Sequence, residues 1–397
     1  MPKVELISNI WHYYYTARAL NRGGYLGHYI TGPSALDTEA HFAAKGGSFA
    51  RLWSERRLAG LPPEKIKRIW MAEVAQKLVK KFSNSERSNW VHNEIFARRA
   101  AQLMEDCDVV HFVHSVGREA ARKAKKNGAK VVCDMREEHP QFQEDILSEE
   151  ARMLGIDFTV PGASYKHRVL EEIALADKIF APSPYAKNTF VQQGVDAQKI
   201  AVCPYGVDVS MFQPTPRLER RGRKFTVLFL GNVCMRKGIH YLLEGFAQAQ
   251  LPDARLVLAG PVDESFRPLL AKYEDKFEAP GRVARTQLTQ YYQQADLFVI
   301  PSLADAYPLV GLEAMASGLP IVVSEHTGTA GIIENGRNGY VIPIRNPGAI
   351  ADKIRYLYEH PEAGAVLGAA AAETVRKLDW DNYERICADL YREWLKY

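Results

Sequence analysis

Short apolar runs alternate along the chain with longer stretches in which apolar residues recur every three or four positions. The runs at 4–8, 26–31, 108–113, 130–133, 178–181 and 200–203 predict a first series of strands. Those at 225–230, 255–259, 297–300, 321–324 and 340–342 predict a second. Strands separated by helical patterns are the mark of crossover units, because a parallel pair cannot be joined by a tight turn. The two series are divided by 213–224, a polar, charged segment carrying prolines, which reads as a hinge. The expected units are therefore an α/β domain over 1–212 and a second over 213–379. A final helix over 380–397, with Ile386, Leu390 and Trp394 on one stripe, is expected to pack back on the first unit.

Composition narrows the class. At 397 residues the chain exceeds one ordinary core, and 47% hydrophobic with 25% charged residues fits a globular protein. No apolar run reaches the ~18–20 residues a membrane span needs. The first residues read as a strand and not as a signal peptide. Five cysteines without metal-ligand spacing suit reduced thiols in a cytoplasm, and a net charge of +4 is too small to point to nucleic acid.

The chemistry concentrates in Asp305-Ala-Tyr-Pro-Leu-Val-Gly-Leu-Glu313-Ala-Met-Ala-Ser-Gly318, two acids eight positions apart before the strand at 321–324. Upstream, Gly231-Asn-Val-Cys-Met-Arg236-Lys237-Gly238 follows a strand and opens a helix. Gly231 lets backbone approach a ligand closely, and a helix start with two cations in place of the usual acids suits a diphosphate. These segments, with Ala259-Gly260-Pro261 and Phe298-Val-Ile-Pro-Ser302 between them, resemble the motifs of the retaining glycosyltransferases of family 4.

The resemblance implies a GT-B fold: two facing Rossmann-like domains with the active site in the cleft. It implies an enzyme of the hexosyltransferase type that moves a sugar from a nucleotide diphosphate sugar to a hydroxyl acceptor, with retention and without a metal or other cofactor. It gives Glu313 the donor ribose hydroxyls and Asp305 the donor sugar hydroxyls. Gly231 and the amides near Leu309 and Val310 would meet the diphosphate, Thr327 would close over phosphate or sugar, and Arg236 and Lys237 would stabilise the leaving group. Asp305 stands where the family has Glu, so the sugar is held differently or a neighbour such as Tyr307 fills the gap.

In the first domain the resemblance puts a histidine at the end of the strand 108–113, and His114 takes that role with His111 as competitor. Arg136 and His139, after the next strand, are either acceptor-binding or part of a charged helix cap. Trp11 and His12 lie in the first strand-to-helix turn, where aromatic faces suit an acceptor sugar. The pairs Asp106/Asp108 and Asp379/Asp381 are set aside as metal ligands, Asp379 or Asp381 being the N-cap of the final helix. Glu334 reads as a helix-surface residue.

The segment 64–82 reads as one amphipathic helix, with Ile66, Trp70, Val74, Leu78 and Phe82 on a stripe and a basic opposite side. It is either a core-packing helix or a peripheral contact with the cytoplasmic face of a membrane. The acceptor expected is a glycan or lipid-linked intermediate of cell-envelope polysaccharide synthesis. The competing functions are a nucleotide-sugar 2-epimerase of the same architecture and a non-catalytic binding subunit.

Overall fold

A computed structural model describes residues 1–32, 60–80, 82, 85–156, 163–214 and 223–395. Most of the hinge 213–224, and Lys81 of the segment 64–82, lie outside them. The first domain holds β1 (Val4–Ser8), β2 (Leu26–Thr31), β3 (Ile66–Arg68), β4 (Val109–Val113), β5 (Lys130–Asp134), β6 (Lys178–Ala181) and β7 (Ile200–Val202). They form one parallel sheet in the order β3-β2-β1-β4-β5-β6-β7. The second domain holds β8 (Phe225–Leu230), β9 (Ala254–Ala259), β10 (Glu278–Gly281), β11 (Leu297–Ile300), β12 (Ile321–Ser324) and β13 (Tyr340–Ile342), ordered β10-β9-β8-β11-β12-β13. Central strands such as β4 and β8 are buried along their whole length, as strands covered by helices on both faces must be. The architecture is GT-B.

The segment 64–82 departs from the expected single helix. Pro63–Lys65 is a short 3-10 turn, Ile66–Arg68 pairs with β2 as an edge strand, and only Met71–Lys80 is helical. Pro62 sits extended at the cap of that turn and directs the chain onto the open edge of β2. Ile66 packs partly buried against the core, but the rest of the stripe does not: Trp70, Val74, Leu78 and Phe82 are exposed, Phe82 by 88%.

The second domain depends on close contact between strand ends. Gly260, with φ +152°, ends β9 so tightly against the turn after β8 that a Cβ there would lie 1.8 Å from the Gly231 carbonyl oxygen. Both the space and the backbone angle exclude a side chain. Gly260→Ala is expected to destabilise the protein by about 3 kcal/mol or more, read from urea unfolding.

Each domain sends a helix onto the other. The helix Trp380–Trp394 lies on the first domain, with Tyr383 Oη 2.7 Å from Thr16 Oγ1 and Tyr391 Oη 2.7 Å from His111 Nδ1. Asp379 caps it by accepting from the Asn382 amide at 2.8 Å. In the other direction, the first domain's helix Pro140–Leu154 buries Ile146, Leu147 and Ala151 in the same apolar cluster as Met235 and Phe266. Glu150 on that helix accepts from Tyr241 Oη and Arg345 Nε, both at 2.7 Å, and meets His240 Nε2 at 2.6 Å.

Candidate functional site

Each sheet reverses its winding once, between β1 and β4 and between β8 and β11. A crevice opens beyond the carboxyl ends of the strands at such a reversal, where ligands bind in open α/β sheets. The turns that leave these strands carry Asn9–His12, His114–Gly117, Gly231–Gly238 and Pro301–Pro308. Topology thus brings the segments singled out by sequence to a common cleft.

On the second-domain side, Gly238 adopts φ +65° and a Cβ there would lie 2.0 Å from the Pro301 carbonyl oxygen. The turn Met235–Lys237 is thereby pressed on the end of β11. Arg236 Nη1 donates to the Ala304 carbonyl at 2.7 Å, and Lys237 Nζ pairs with Asp305 Oδ2. The Asp305 main chain is pinned on both sides, its amide donating to His326 O at 3.0 Å and its carbonyl accepting from Gly328 at 2.8 Å. Thr327, bridged to Asp305, is fully buried and spends its hydroxyl on Ser324 O.

The helix Leu309–Ala316 begins at Pro308 with no side-chain cap and no acid in its first turn. Its start is therefore open to an anion. One turn further, Glu313 accepts from Tyr292 Oη at 3.0 Å and faces Arg285 Nη1 at 3.5 Å. Burial pushes the Glu313 carboxyl up despite Arg285 and Tyr292. The Arg285 guanidinium also lies 5.4 Å from the Trp11 ring, so Trp11 stands beside the Glu313 region.

The first domain contributes a cavity of about 990 Å³ lined by Asn9, His114, Arg136, Glu137, Glu138 and Tyr165 among others. Tyr165 Oη donates to Glu137 at 3.1 Å and lies 3.2 Å from His114 Nδ1. Since the hydroxyl proton goes to Glu137, the proton between Tyr165 and His114 belongs to Nδ1. Nε2 is left as an acceptor, buried and without a partner. Burial lowers the His114 pKa to about 4, which keeps the ring neutral. The turn after His114 is held by Glu172, which accepts from the amides of Ser115, Gly117 and Arg118 at 2.6, 2.9 and 2.9 Å. Ser115 there adopts φ +75°.

Several expected residues stand elsewhere. His111 faces Tyr391 in the core, so of these two histidines it is His114 that lines the cavity. His139 is a helix N-cap, its Nδ1 accepting from the Gln141 amide at 3.2 Å, and only Arg136 of that pair lines the cavity. His12 is buried beside Tyr205 and Trp380, and burial lowers its pKa to about 3. Neither Trp11 nor His12 lines the cavity; Asn9 and Ile10 do. The final helix supplies Trp380 as an aromatic partner for both, a pairing across the whole sequence. Tyr307 turns its ring to Tyr205, 6.2 Å away, while Lys237 occupies the Asp305 carboxylate. Glu334 pairs with Arg337 at the surface, and among the described residues no cluster of potential metal ligands occurs.

Glu137, Glu138, Tyr165, Arg285 and Tyr292 were not singled out by sequence. The acid run Glu137-Glu138 after β5 is the visible signal for two of them, and the other three stand in no motif. Glu138 is 1% exposed and its pKa is pushed up to about 7 by burial, with Asp305 and Glu137 adding to it and Arg236 opposing. A carboxyl raised in the folded state stabilises most below its unfolded pKa and loses that contribution as pH rises through about 7. The lowered His114 acts oppositely, but its contribution is complete above its unfolded value near 6.5. Between pH 6.5 and 8 the wild type is thus expected to lose roughly 1 kcal/mol relative to Glu138→Met, the buried Glu172, His12, His114 and His139 being common to both, as thermal melts of the two proteins would report.

A family model described as Glycosyltransferase Family 4 matches residues 12–211, and one described as Glycosyl transferases group 1 matches 215–374. The D-inositol 3-phosphate glycosyltransferase of Paenarthrobacter aurescens is 28% identical over 235 residues, covering 55% of this chain and 58% of that protein. The chain spans a little over half the length of the first curated relatives it matches. Sucrose-phosphate synthase from Thermosynechococcus elongatus aligns with a TM-score of 0.71 at 18% identity over 99% of both chains. Anabaena HepE in complex with UDP-glucose aligns with a TM-score of 0.65 at 17% identity, over 99% of this chain and 100% of that one. At such identities these two speak for the fold.

Proposed function

This chain belongs to glycosyltransferase family 4, and we propose that it transfers a sugar from a nucleotide diphosphate sugar to a hydroxyl acceptor with retention and without a metal. The observation that carries this reading is the uncapped helix start at Leu309, set between Glu313 and the Lys237–Asp305 pair. A diphosphate fits between those amides and the Arg236–Lys237 turn. Glu313 then accepts from the ribose hydroxyls, and Asp305 from a hydroxyl of the sugar. His114 Nε2 faces the sugar from the first domain. As the bond between the anomeric carbon and the diphosphate oxygen breaks, its electron pair passes to the diphosphate. The acceptor oxygen bonds the anomeric carbon on the same face, and its proton goes to the departing phosphate oxygen. Arg236, Lys237 and the helix amides supply the positive charge this needs, so activity is expected to survive chelation.

The cavity beside His114 suits a hydroxylated acceptor, and its wall includes Glu73 and Gln76 of the helix Met71–Lys80. The outer side of that helix exposes Met71, Val74 and Leu78 together with Lys77 and Lys80. No helix among the described residues is long and apolar enough to cross a membrane. An exposed apolar and basic face at the cavity wall fits peripheral attachment to an anionic, cytoplasmic membrane surface and a lipid-linked acceptor of polysaccharide synthesis. The full chain is expected to float with anionic liposomes, and Leu78→Glu to abolish flotation; equal flotation of the variant, or none by either, would remove the membrane reading.

The transfer is tested by incubating the protein with labelled nucleotide sugars and a lipid extract, in chelator, and following product configuration by NMR. Glycosylated product with retained configuration supports it. An isomerised donor would mean an epimerase, and binding without turnover a non-catalytic subunit.

A further inference from the structure

Besides His114 Nε2 and Arg136 Nε, Glu138 Oε1 and Tyr185 Oη on the first-domain side of the cleft are buried without a hydrogen-bond partner. Such atoms are uncommon in native proteins because an unmet donor or acceptor costs about 1–3 kcal/mol. Both belong to one place. Glu138 lies in the turn between β5 and the helix Pro140–Leu154, lines the cavity, and uses its other oxygen to accept from Gln143 Nε2 at 3.2 Å. Tyr185 lies in the first turn of the helix Pro184–Gln192, whose cap Ser183 donates to the Ala306 carbonyl at 2.7 Å. That contact docks the helix on the loop carrying Asp305, and the Tyr185 ring lies 5.6 Å from His326 of the second domain. Arg236 and Asp305 act electrostatically on both side chains, and Glu138 acts on Tyr185.

Asp305 by itself is a poor sugar ligand. It is one methylene shorter than Glu, about 1.5 Å of reach, and one of its oxygens is held by Lys237. We propose that Glu138 and Tyr185 bind hydroxyl groups of the transferred sugar, completing from the first domain the sugar site that Asp305 begins from the second. A carboxyl with a pKa of about 7 can accept from a hydroxyl or donate to one, and the neutral phenol beside it can do either. A buried wall of this kind favours a sugar with hydroxyls at the facing positions and rejects deoxy analogues, whose binding would leave the wall unpaired. The inference rests on the transferase reading.

The full chain would be titrated calorimetrically with UDP, GDP and ADP, and with their conjugates of glucose, galactose, mannose and N-acetylglucosamine. The wild type is expected to bind its best conjugate more tightly than the bare diphosphate. Tyr185→Phe, which removes one hydroxyl and keeps the ring, and Glu138→Met are each expected to shrink that ratio about tenfold while leaving diphosphate affinity unchanged. A ratio unchanged in both variants overturns the proposal and leaves the transferase intact. A wild type that binds no nucleotide overturns the transferase reading itself.

Discussion

Lys237→Ala is expected to lower the turnover of the proposed transfer by about a hundred- to a thousandfold, the usual loss when a preorganised charge at the leaving group is removed. The effect should fall mainly on kcat, because charge on the diphosphate grows as the bond to the sugar breaks. The geometry adds a second contribution. Lys237 Nζ is the ion-pair partner of Asp305, which is 8% exposed and pinned through its main chain. Without the lysine only Arg236 is left to offset that carboxylate, so the variant loses an attraction to the diphosphate and gains a net repulsion from Asp305. Lys237→Ala/Asp305→Asn should therefore recover part of the donor affinity that the single variant loses. Near-normal turnover in Lys237→Ala would contradict its place on the diphosphate.

Glu313→Ala should weaken binding of the nucleoside diphosphate roughly a hundredfold or more, as two hydrogen bonds to an ionised carboxylate, each ~1.5–3 kcal/mol, disappear. Stability should change little. Tyr292 Oη keeps the Val310 carbonyl at 3.2 Å as an acceptor, and a carboxyl that burial already disfavours is removed. A calorimetric titration and a thermal melt of the same preparation separate the two effects. Affinity equal to that of the wild type would detach Glu313 from the ribose.

What could be read from the sequence followed how local the signal was. The strands at the centre of each sheet are continuous apolar runs because both faces are covered, and each was found. β3, with the sequence Ile-Lys-Arg, and β10, with Glu-Ala-Pro-Gly, are edge strands with no such run, and they are strands only because a neighbour offers an open edge. The helix expected across 64–82 failed for the same reason, since its first third completes a sheet. At the site, Arg236, Lys237, Asp305 and Glu313 stand in motifs whose spacing is set by one turn and one helix. The Tyr165 link between His114 and Glu137 spans 51 and 28 positions, and the aromatic setting of His12 depends on Trp380 near the chain's end. Only the folded chain brings such groups together.

The return of the last helix to the first domain also sets how the cleft can open. The chain passes between domains twice, after residue 212 and again before Trp380, and the segment leading to the first passage lies against the second. The Val207 amide donates to Leu378 O at 2.9 Å, and Gly206 is packed so closely that a Cβ would lie 2.5 Å from the Asp379 carbonyl carbon. Crossings joined side by side make rotation about that junction the expected mode of opening and sliding of the halves past one another the unfavoured one.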